Sequence, residues 1–143
     1  TLHGAVAEVS FACGPIRPGD LAVQYQARVI PEYTPTDRVD RFVLPNGKMV
    51  GAITAVVHNG GAVGKGRICY INLGQEDGAA PGQRYRIFRI FREHLDAGFW
   101  AFPETPRETT GELVILSTQE RSSVAMVVNS VREIWLGDGI ELE

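Results

Sequence analysis

Apolar residues along this chain recur in short runs rather than at helical spacing. Most runs are 5–10 residues long, rich in Val, Ile, Tyr and Phe, and bounded by Gly, Pro, Asn or Asp, which is typical of β-strands. The pattern predicts strands at residues 5–11, 20–30, 50–58, 66–73, 84–91, 111–120, 123–131 and 139–143. Short strands separated by Gly-rich turns indicate a small barrel or sandwich. We therefore predict an all-β fold, a small barrel of the six-stranded type with an additional N-terminal β-hairpin.

Two irregular stretches divide the chain. Residues 31–46 carry three prolines and no alternation, which predicts an extended connector. Residues 1–30 are then N-terminal strands, either the closing strands of a unit that begins upstream or extra strands that pack on the main barrel. Residues 47–143 form the barrel domain. A second irregular loop is predicted at residues 92–110. Connectors of this kind can add to the sheet edge of a neighbour, so residues 31–46 are also a candidate strap onto a partner.

The stretch YINLGQEDGAAPGQRYRIFRIFR, residues 70–92, is read as strand, Gly-rich turn and strand, the central hairpin of the barrel. Glycines at strand connections are expected to adopt backbone angles that other residues resist. The predicted structural turns are at Gly19, Gly74, Gly78, Gly82 and Gly137. A break in alternation near Arg89 predicts a β-bulge or a strand covered on both faces.

Charge, hydrophobicity and cysteine content narrow the classes of protein to which the chain could belong. The net charge of −3 argues against a surface that attracts nucleic acid over its whole area. No apolar run approaches the roughly 20 residues of a membrane helix. Cys13 and Cys69 are too few for a disulfide scaffold. One bridge between them is an alternative, but two buried free thiols are favoured.

A resemblance is carried by GKMVGAITAVVHNGGAVGKGRICYINLGQEDGAAPGQRYRIFR and by TTGELVILSTQERSSVAMVVNSVREIWLGDGIEL. These stretches resemble the C-terminal β-barrel of flagellar assembly protein T. They also resemble the related domain that follows a LysM module in envelope proteins of the type IV pilus secretin-associated kind. The resemblance spans residues 46–143 and rests on strand and turn patterns. It implies a periplasmic or envelope-associated protein that helps to assemble or anchor a larger machine. No LysM-like segment is present, so peptidoglycan binding is not implied.

Three binding sites are considered. The predicted partner-binding surfaces for protein subunits of an envelope or membrane complex are exposed strand edges and an irregular aromatic loop containing Phe99, Trp100 and Phe102. Alternatively, the Arg-aromatic strand with Arg84, Tyr85, Arg86 and Phe88 binds single-stranded nucleic acid. In a third reading, Trp100 is a platform for a glycan or a small molecule.

The sequence offers little support for catalysis. The glycine clusters run into strands and lack the Ser or Thr of a P-loop, and the acids near Asp77 lack the spacing of a calcium-binding loop. His3, His58 and His94 lie in unrelated settings, and no nucleophile elbow is present. We therefore predict a non-enzymatic structural or interaction module without cofactor, metal or small-molecule substrate, and with no transmembrane segment in this chain.

Overall fold

The computed structural model describes residues 4–25, 27, 30–33, 38–57, 61–90 and 107–143. Within them the chain forms nine strands and one 3₁₀ turn at Gln75–Asp77. The strands are β1 (Phe42–Val43), β2 (Val50–Val56), β3 (Ala62–Val63), β4 (Ile68–Ile71), β5 (Arg84–Ile90), β6 (Arg107–Thr118), β7 (Ser123–Ser130), β8 (Ile134–Trp135) and β9 (Gly139–Leu142). The all-β prediction is confirmed.

Six strands close into an antiparallel barrel, and β1 adds a seventh strand to the sheet. The order around the sheet is β1-β6-β5-β9-β2-β4-β7, and β7 pairs back onto β6 to close the ring. Closure depends on the 12-residue length of β6, which pairs with β5 from Arg107 to Val114 and with β7 from Gly111 to Thr118. Its first two residues also pair with β1. Strands β3 and β8 form a separate two-stranded ribbon. A closed ring leaves no unpaired edge on the barrel strands.

The barrel interior is filled by apolar side chains that alternate along the strands. Residues directly opposite each other in an antiparallel pair share a face. Ile87 on β5 therefore faces inward with its register partner Ile140 on β9. The largest inward side chains are at most 1% exposed: Ile53, Ile71, Tyr85, Ile87, Leu113, Ile115, Val127, Ile134 and Ile140. This core explains why residues with β propensity, rather than any helical pattern, dominate the chain.

The predicted hairpin of residues 70–92 is wrong in its pairing. Strand β4 pairs with β2 and β7, whereas β5 pairs with β6 and β9, so the two strands lie apart in the ring. The segment between them is fastened to the β6–β7 turn instead, where Gln75 and Glu76 donate to the carbonyl oxygens of Gln119 and Glu120 at 2.9 and 3.0 Å. Alternation predicts the face on which a residue lies but not the partner of its strand.

The predicted N-terminal strands and hairpin are also wrong for the described residues. Residues 4–25, 27 and 30 contain no strand, and all of them are exposed. Their backbone hydrogen bonding is confined to one turn, in which Asp20 N–H donates to the carbonyl of Arg17 at 3.1 Å. β propensity becomes a strand only where a neighbour supplies backbone partners, and the closed barrel offers this segment no open edge. We call residues 4–25 the N-terminal segment.

The boundaries of the irregular stretches differ from the prediction in two places. Strand β1 lies at the end of the predicted connector 31–46 and pairs with the start of β6. The predicted loop 92–110 is shorter at its C-terminal end, because β6 begins at Arg107. The short strands β3 and β8 were not predicted, since two-residue ladders leave too brief a pattern to read.

The break in alternation on β5 corresponds to an irregularity in register. Ile87 lies opposite Gly111 but Phe88 lies opposite Thr109, so Thr110 is an extra residue on β6. The predicted bulge is confirmed. Its consequence is that Phe88 is also buried, at 4% exposure, against Gly139, where an added Cβ would come within 2.5 Å of the Phe88 ring.

Candidate interaction surfaces

The described residues of the connector, 31–33 and 38–46, lie on the outer face of the barrel. A Cβ at Gly82 would lie 3.4 Å from Pro31, and the Arg84 guanidinium lies 5.8 Å from the ring centre of Tyr33. Further along, Thr109 N–H donates to the carbonyl of Arg41 at 2.8 Å. Asn46 ends the path. Its N–H donates to Glu141 at 3.1 Å, and its side-chain amide donates to a β9 carbonyl at 2.8 Å. The described part of the connector is thus fixed to this barrel, and its role as a strap onto a neighbour stays a prediction.

Beneath the connector lies a group of six charged side chains on β5, β6 and β9, which we call the charged face. Arg86 lies directly opposite both Glu112 and Glu141, so these three residues form a row across three strands. The charged face consists of Arg84, Arg86, Arg107, Glu112, Glu141 and Glu143. Three cations and three anions give it no formal net charge.

Ion pairs hold the charged face together. Arg84 lies 3.0 Å from Glu143 and 3.5 Å from Glu112. Arg107 lies 3.1 Å from Glu141, a carboxylate that is only 1% exposed. Such pairs tie three strands together, although the cost of desolvating the charges offsets much of their attraction.

Burial raises the pKa of one of these carboxylates, that of Glu112. Glu112 is 2% exposed, and its burial, with the nearby carboxylate of Glu143, raises its pKa above the ordinary glutamate value while Arg84 opposes the shift. One oxygen of Glu112 and one of Glu141 accept no hydrogen bond. The face is therefore structural and electrostatically balanced, with carboxylates that water reaches poorly.

This geometry disfavours the nucleic-acid alternative. Tyr85 is 0% exposed and Phe88 is 4% exposed, so neither ring is available to stack on a base. Arg84 and Arg86 are paired with carboxylates on a face without net charge. Affinity for phosphates depends on cations that exchange counterions for the nucleic acid, and these arginines are already neutralised by the protein.

Four of the five predicted turn glycines adopt positive φ. The values are 99° at Gly19, 83° at Gly78, 87° at Gly82 and 90° at Gly137. Gly74 is the exception, because its φ of −131° is open to any residue. Glycine is needed at position 74 for a steric reason instead. An added Cβ would lie 2.3 Å from the carbonyl oxygen of Glu120, so the predicted reason for Gly74 is wrong.

The acids beside these glycines serve the turn itself. Asp77 accepts a hydrogen bond from Gly74 N–H at 2.9 Å, and Gly78 ends the 3₁₀ turn in a left-handed conformation. Gly66 N–H donates to the carbonyl of Val127 at 2.7 Å. The Asp77 carboxylate and the Gly66 N–H are thus engaged within the protein.

Both cysteines are free thiols, so the alternative of a bridge is not found. Cys69 is fully buried on β4, and burial raises its pKa to about 12. Cys13, in contrast, is exposed in the N-terminal segment, which corrects the expectation that both thiols are buried. Cys13 is therefore the solvent-accessible thiol of the two.

The described residues contain two shallow clefts. One, of about 320 Å³, lies between β5 and the turn before β9. It contains an ion pair in which Nε and Nη2 of Arg89 donate to Oδ1 and Oδ2 of Asp138, at 2.8 and 2.7 Å. The second, of about 340 Å³, is lined largely by Val56, Val57, Val63 and Ile68. No group of three His, Cys, Asp or Glu side chains that could hold a metal occurs in the described part of the chain.

The N-terminal segment carries the largest series of exposed apolar side chains among the described residues. Their exposed fractions lie between 58% and 104%: Val6, Val9, Phe11, Ile16, Leu21, Val23 and Tyr25. Large exposed apolar surfaces usually mark interaction sites. The predicted aromatic loop with Phe99, Trp100 and Phe102 lies outside the described residues, so its partner-binding and ligand-binding roles stay predictions.

Comparison with known proteins gave no match, whether to a family model, a curated protein or a solved structure. No helix within the described ranges is long and apolar enough to span a bilayer. The case for function therefore rests on the geometry of this chain.

Proposed function

We propose that this chain is a non-enzymatic interaction module of a bacterial cell-envelope assembly, which binds protein partners through its N-terminal segment. The observation that carries the proposal is the state of that segment. It exposes apolar side chains, and its backbone donors and acceptors are unused outside one turn. Extended chains of this kind bind by adding a strand to a partner, with backbone hydrogen bonds providing affinity and alternate side chains providing specificity.

The barrel would serve as a rigid support for this segment. Its strands are all paired around the ring, and the connector fastens the chain to the outer face of β5, β6 and β9. The envelope location follows from the resemblance of residues 46–143 to envelope assembly domains. The aromatic loop at residues 92–106 is a further candidate contact.

Crosslinking mass spectrometry in intact cells tests the proposal. Lys48 and Lys65 are exposed and suit an amine-reactive crosslinker. We expect crosslinks to envelope or membrane-complex proteins. The variant Val9→Asp should lose them, because Val9 is an apolar side chain 61% exposed in the segment. Leu136→Asp, at an exposed position on the barrel, is the matched control and should retain them.

Crosslinks to soluble cytoplasmic or nucleic-acid-associated proteins alone would overturn the envelope assignment. Equal crosslinking of wild type and Val9→Asp would overturn the role of the N-terminal segment. Both variants should keep the melting temperature of the wild type, since neither side chain packs in the described core.

A further inference from the structure

The N-terminal segment repeats the last strands of the barrel without a gap. When residues 5–24 are placed on residues 123–142, a shift of 118 positions, six of the 20 pairs are identical. The identical pairs are Val6 and Val124, Ala7 and Ala125, Val9 and Val127, Ile16 and Ile134, Gly19 and Gly137, and Asp20 and Asp138. Residues 68–87, which contain the related turn at Gly82, match residues 123–142 at one position only. The repeat therefore extends beyond turn chemistry.

The two turns at the centre of the repeat have the same geometry. In the segment, Asp20 N–H donates to the Arg17 carbonyl at 3.1 Å, and Arg17 N–H donates to the Asp20 carboxylate at 2.8 Å. In the barrel, Asp138 N–H donates to the Trp135 carbonyl at 3.1 Å, and Trp135 N–H donates to the Asp138 carboxylate at 2.9 Å. The two turn glycines also have similar φ angles, 99° at Gly19 and 90° at Gly137.

The segment preserves three of the apolar residues that the barrel buries. Ala125, Val127 and Ile134 are each 0% exposed in the core, and their counterparts Ala7, Val9 and Ile16 are identical. Yet Val9 is 61% exposed and Ile16 is 58% exposed. The segment therefore carries the inward-facing residues of a barrel strand but has no barrel around it. This pattern is expected of a strand that packs into a core supplied by another stretch of polypeptide.

The position of the repeated strands in the ring defines what that region must supply. Strand β7 lies between β4 and β6, and β9 lies between β5 and β2. Without β7 and β9 the ring would separate into two antiparallel pairs, β2–β4 and β5–β6. Residues 5–12 correspond to β7, and residues 21–24 correspond to β9.

We infer that residues 5–24 are the closing strands of a second barrel of this same type. The partner is a polypeptide stretch outside residues 1–143 that provides two antiparallel strand pairs equivalent to β2–β4 and β5–β6. The N-terminal segment inserts between these pairs at two places and buries Ala7, Val9 and Ile16 in their core. This inference rests on the proposed interaction role and specifies the fold of the partner.

A second copy of this chain is a poorer occupant. Its barrel is already closed by its own β7 and β9, which are tethered to it and therefore compete at a high effective concentration. The N-terminal segment of another copy would have to displace them.

Site-specific photocrosslinking from position 13 in cells, with the whole native protein, tests the inference. Cys13 corresponds to Val131, which is 49% exposed and whose N–H donates to the Thr110 carbonyl on β6 at 3.0 Å. A benzophenone side chain at position 13 should therefore leave docking intact. It should crosslink to a partner peptide whose pattern and flanking turns match those of β6.

A matched pair of charge substitutions provides the control. Val9→Asp places a charge at a position equivalent to the buried Val127 and should lower the crosslink yield at least about tenfold. Arg17→Asp introduces the same side chain at the position equivalent to the exposed Trp135 and should leave the crosslink yield within about twofold. Both variants should fold as the wild type does, because neither residue packs on the described barrel.

Three results would overturn the inference. They are a crosslinked peptide from a partner without this strand pattern, an unchanged yield in Val9→Asp, and a crosslink into residues 107–118 of another copy of this chain. The identity of the crosslinked protein tests the envelope role separately, because a cytoplasmic partner with the predicted strand pairs would refute only that role.

Discussion

Removal of Arg107 should expose how strongly the charged face depends on its buried ion pair. The Arg107 side chain is 15% exposed, and its Nη1 lies 3.1 Å from Oε1 of Glu141. At this separation the Coulomb attraction is about 5 kcal/mol for an effective dielectric constant of ~20. Loss of one partner from a buried pair typically costs about 3–5 kcal/mol, because the other charge stays buried. We expect Arg107→Ala to lower the free energy of unfolding by that amount.

The two sides of the pair should not respond equally. Glu141→Gln leaves a neutral amide in place of the carboxylate, and the arginine keeps its contact with the Phe88 ring, whose centre lies 4.2 Å from the guanidinium carbon. Because Arg107 also retains some access to water, we expect a loss of about 1–2 kcal/mol. Glu141 is 1% exposed and has no such access, so Arg107→Ala should cost more than Glu141→Gln.

Urea-induced unfolding followed by circular dichroism measures both variants, with an unchanged slope against urea as the check that folding stays cooperative. The double variant Arg107→Met with Glu141→Leu removes both charges at similar volume and should lie within about 2 kcal/mol of the wild type. A loss below about 1 kcal/mol for Arg107→Ala, or a larger loss for Glu141→Gln, would refute the electrostatic reasoning.

Three further predictions concern single positions. Glu112→Gln should raise the melting temperature at pH 7 but not at pH 4. Burial raises the pKa of Glu112 in the folded state, so wild-type stability falls as the pH rises from the ordinary glutamate value through the folded pKa; an advantage that is independent of pH would contradict this. Gly74→Ala should cost about 2–3 kcal/mol in urea unfolding because its Cβ meets the carbonyl of Glu120, and a neutral effect would show that the turn adapts. A thiol reagent should label Cys13 alone in the native protein and Cys69 only after unfolding; native labelling of both would place Cys69 outside the core.

The sequence predicts the strands of the barrel well because their local pattern and their tertiary environment agree. The runs at 50–58, 84–91, 123–131 and 139–143 each coincide with a strand to within two residues at either end. Val, Ile and Tyr at alternate positions suit a half-buried pleated surface wherever it occurs. Strand pairing cannot be predicted in the same way, because it depends on the whole ring. Strands β4 and β5 are adjacent in sequence but do not pair in the sheet.

The same limit explains the N-terminal segment and the charged face. Residues 5–11 have the pattern of a strand, but the pattern cannot show whether an open edge exists to receive it. As a charged residue in the short alternating run GIELE, Glu141 would be expected to face solvent. Its burial arises because β5 and β6 bring arginines beside it and the connector crosses above, and these contacts come from regions up to 95 residues away.

The connector also limits where a partner of the N-terminal segment can lie. Pro31 lies against Gly82, just before β5, and six residues stand between it and Gln24, the last residue of the repeat. The seven Cα-to-Cα steps from Gln24 to Pro31 span at most about 25 Å. A second barrel closed by residues 5–24 would therefore lie close to the first and beside the beginning of β5, rather than at the end of a long tether. Because Asn46, Arg41 and Tyr33 fasten the connector to strands β9, β6 and β5 in turn, the contacts that bury the charged face also fix the point from which the partner-binding segment departs.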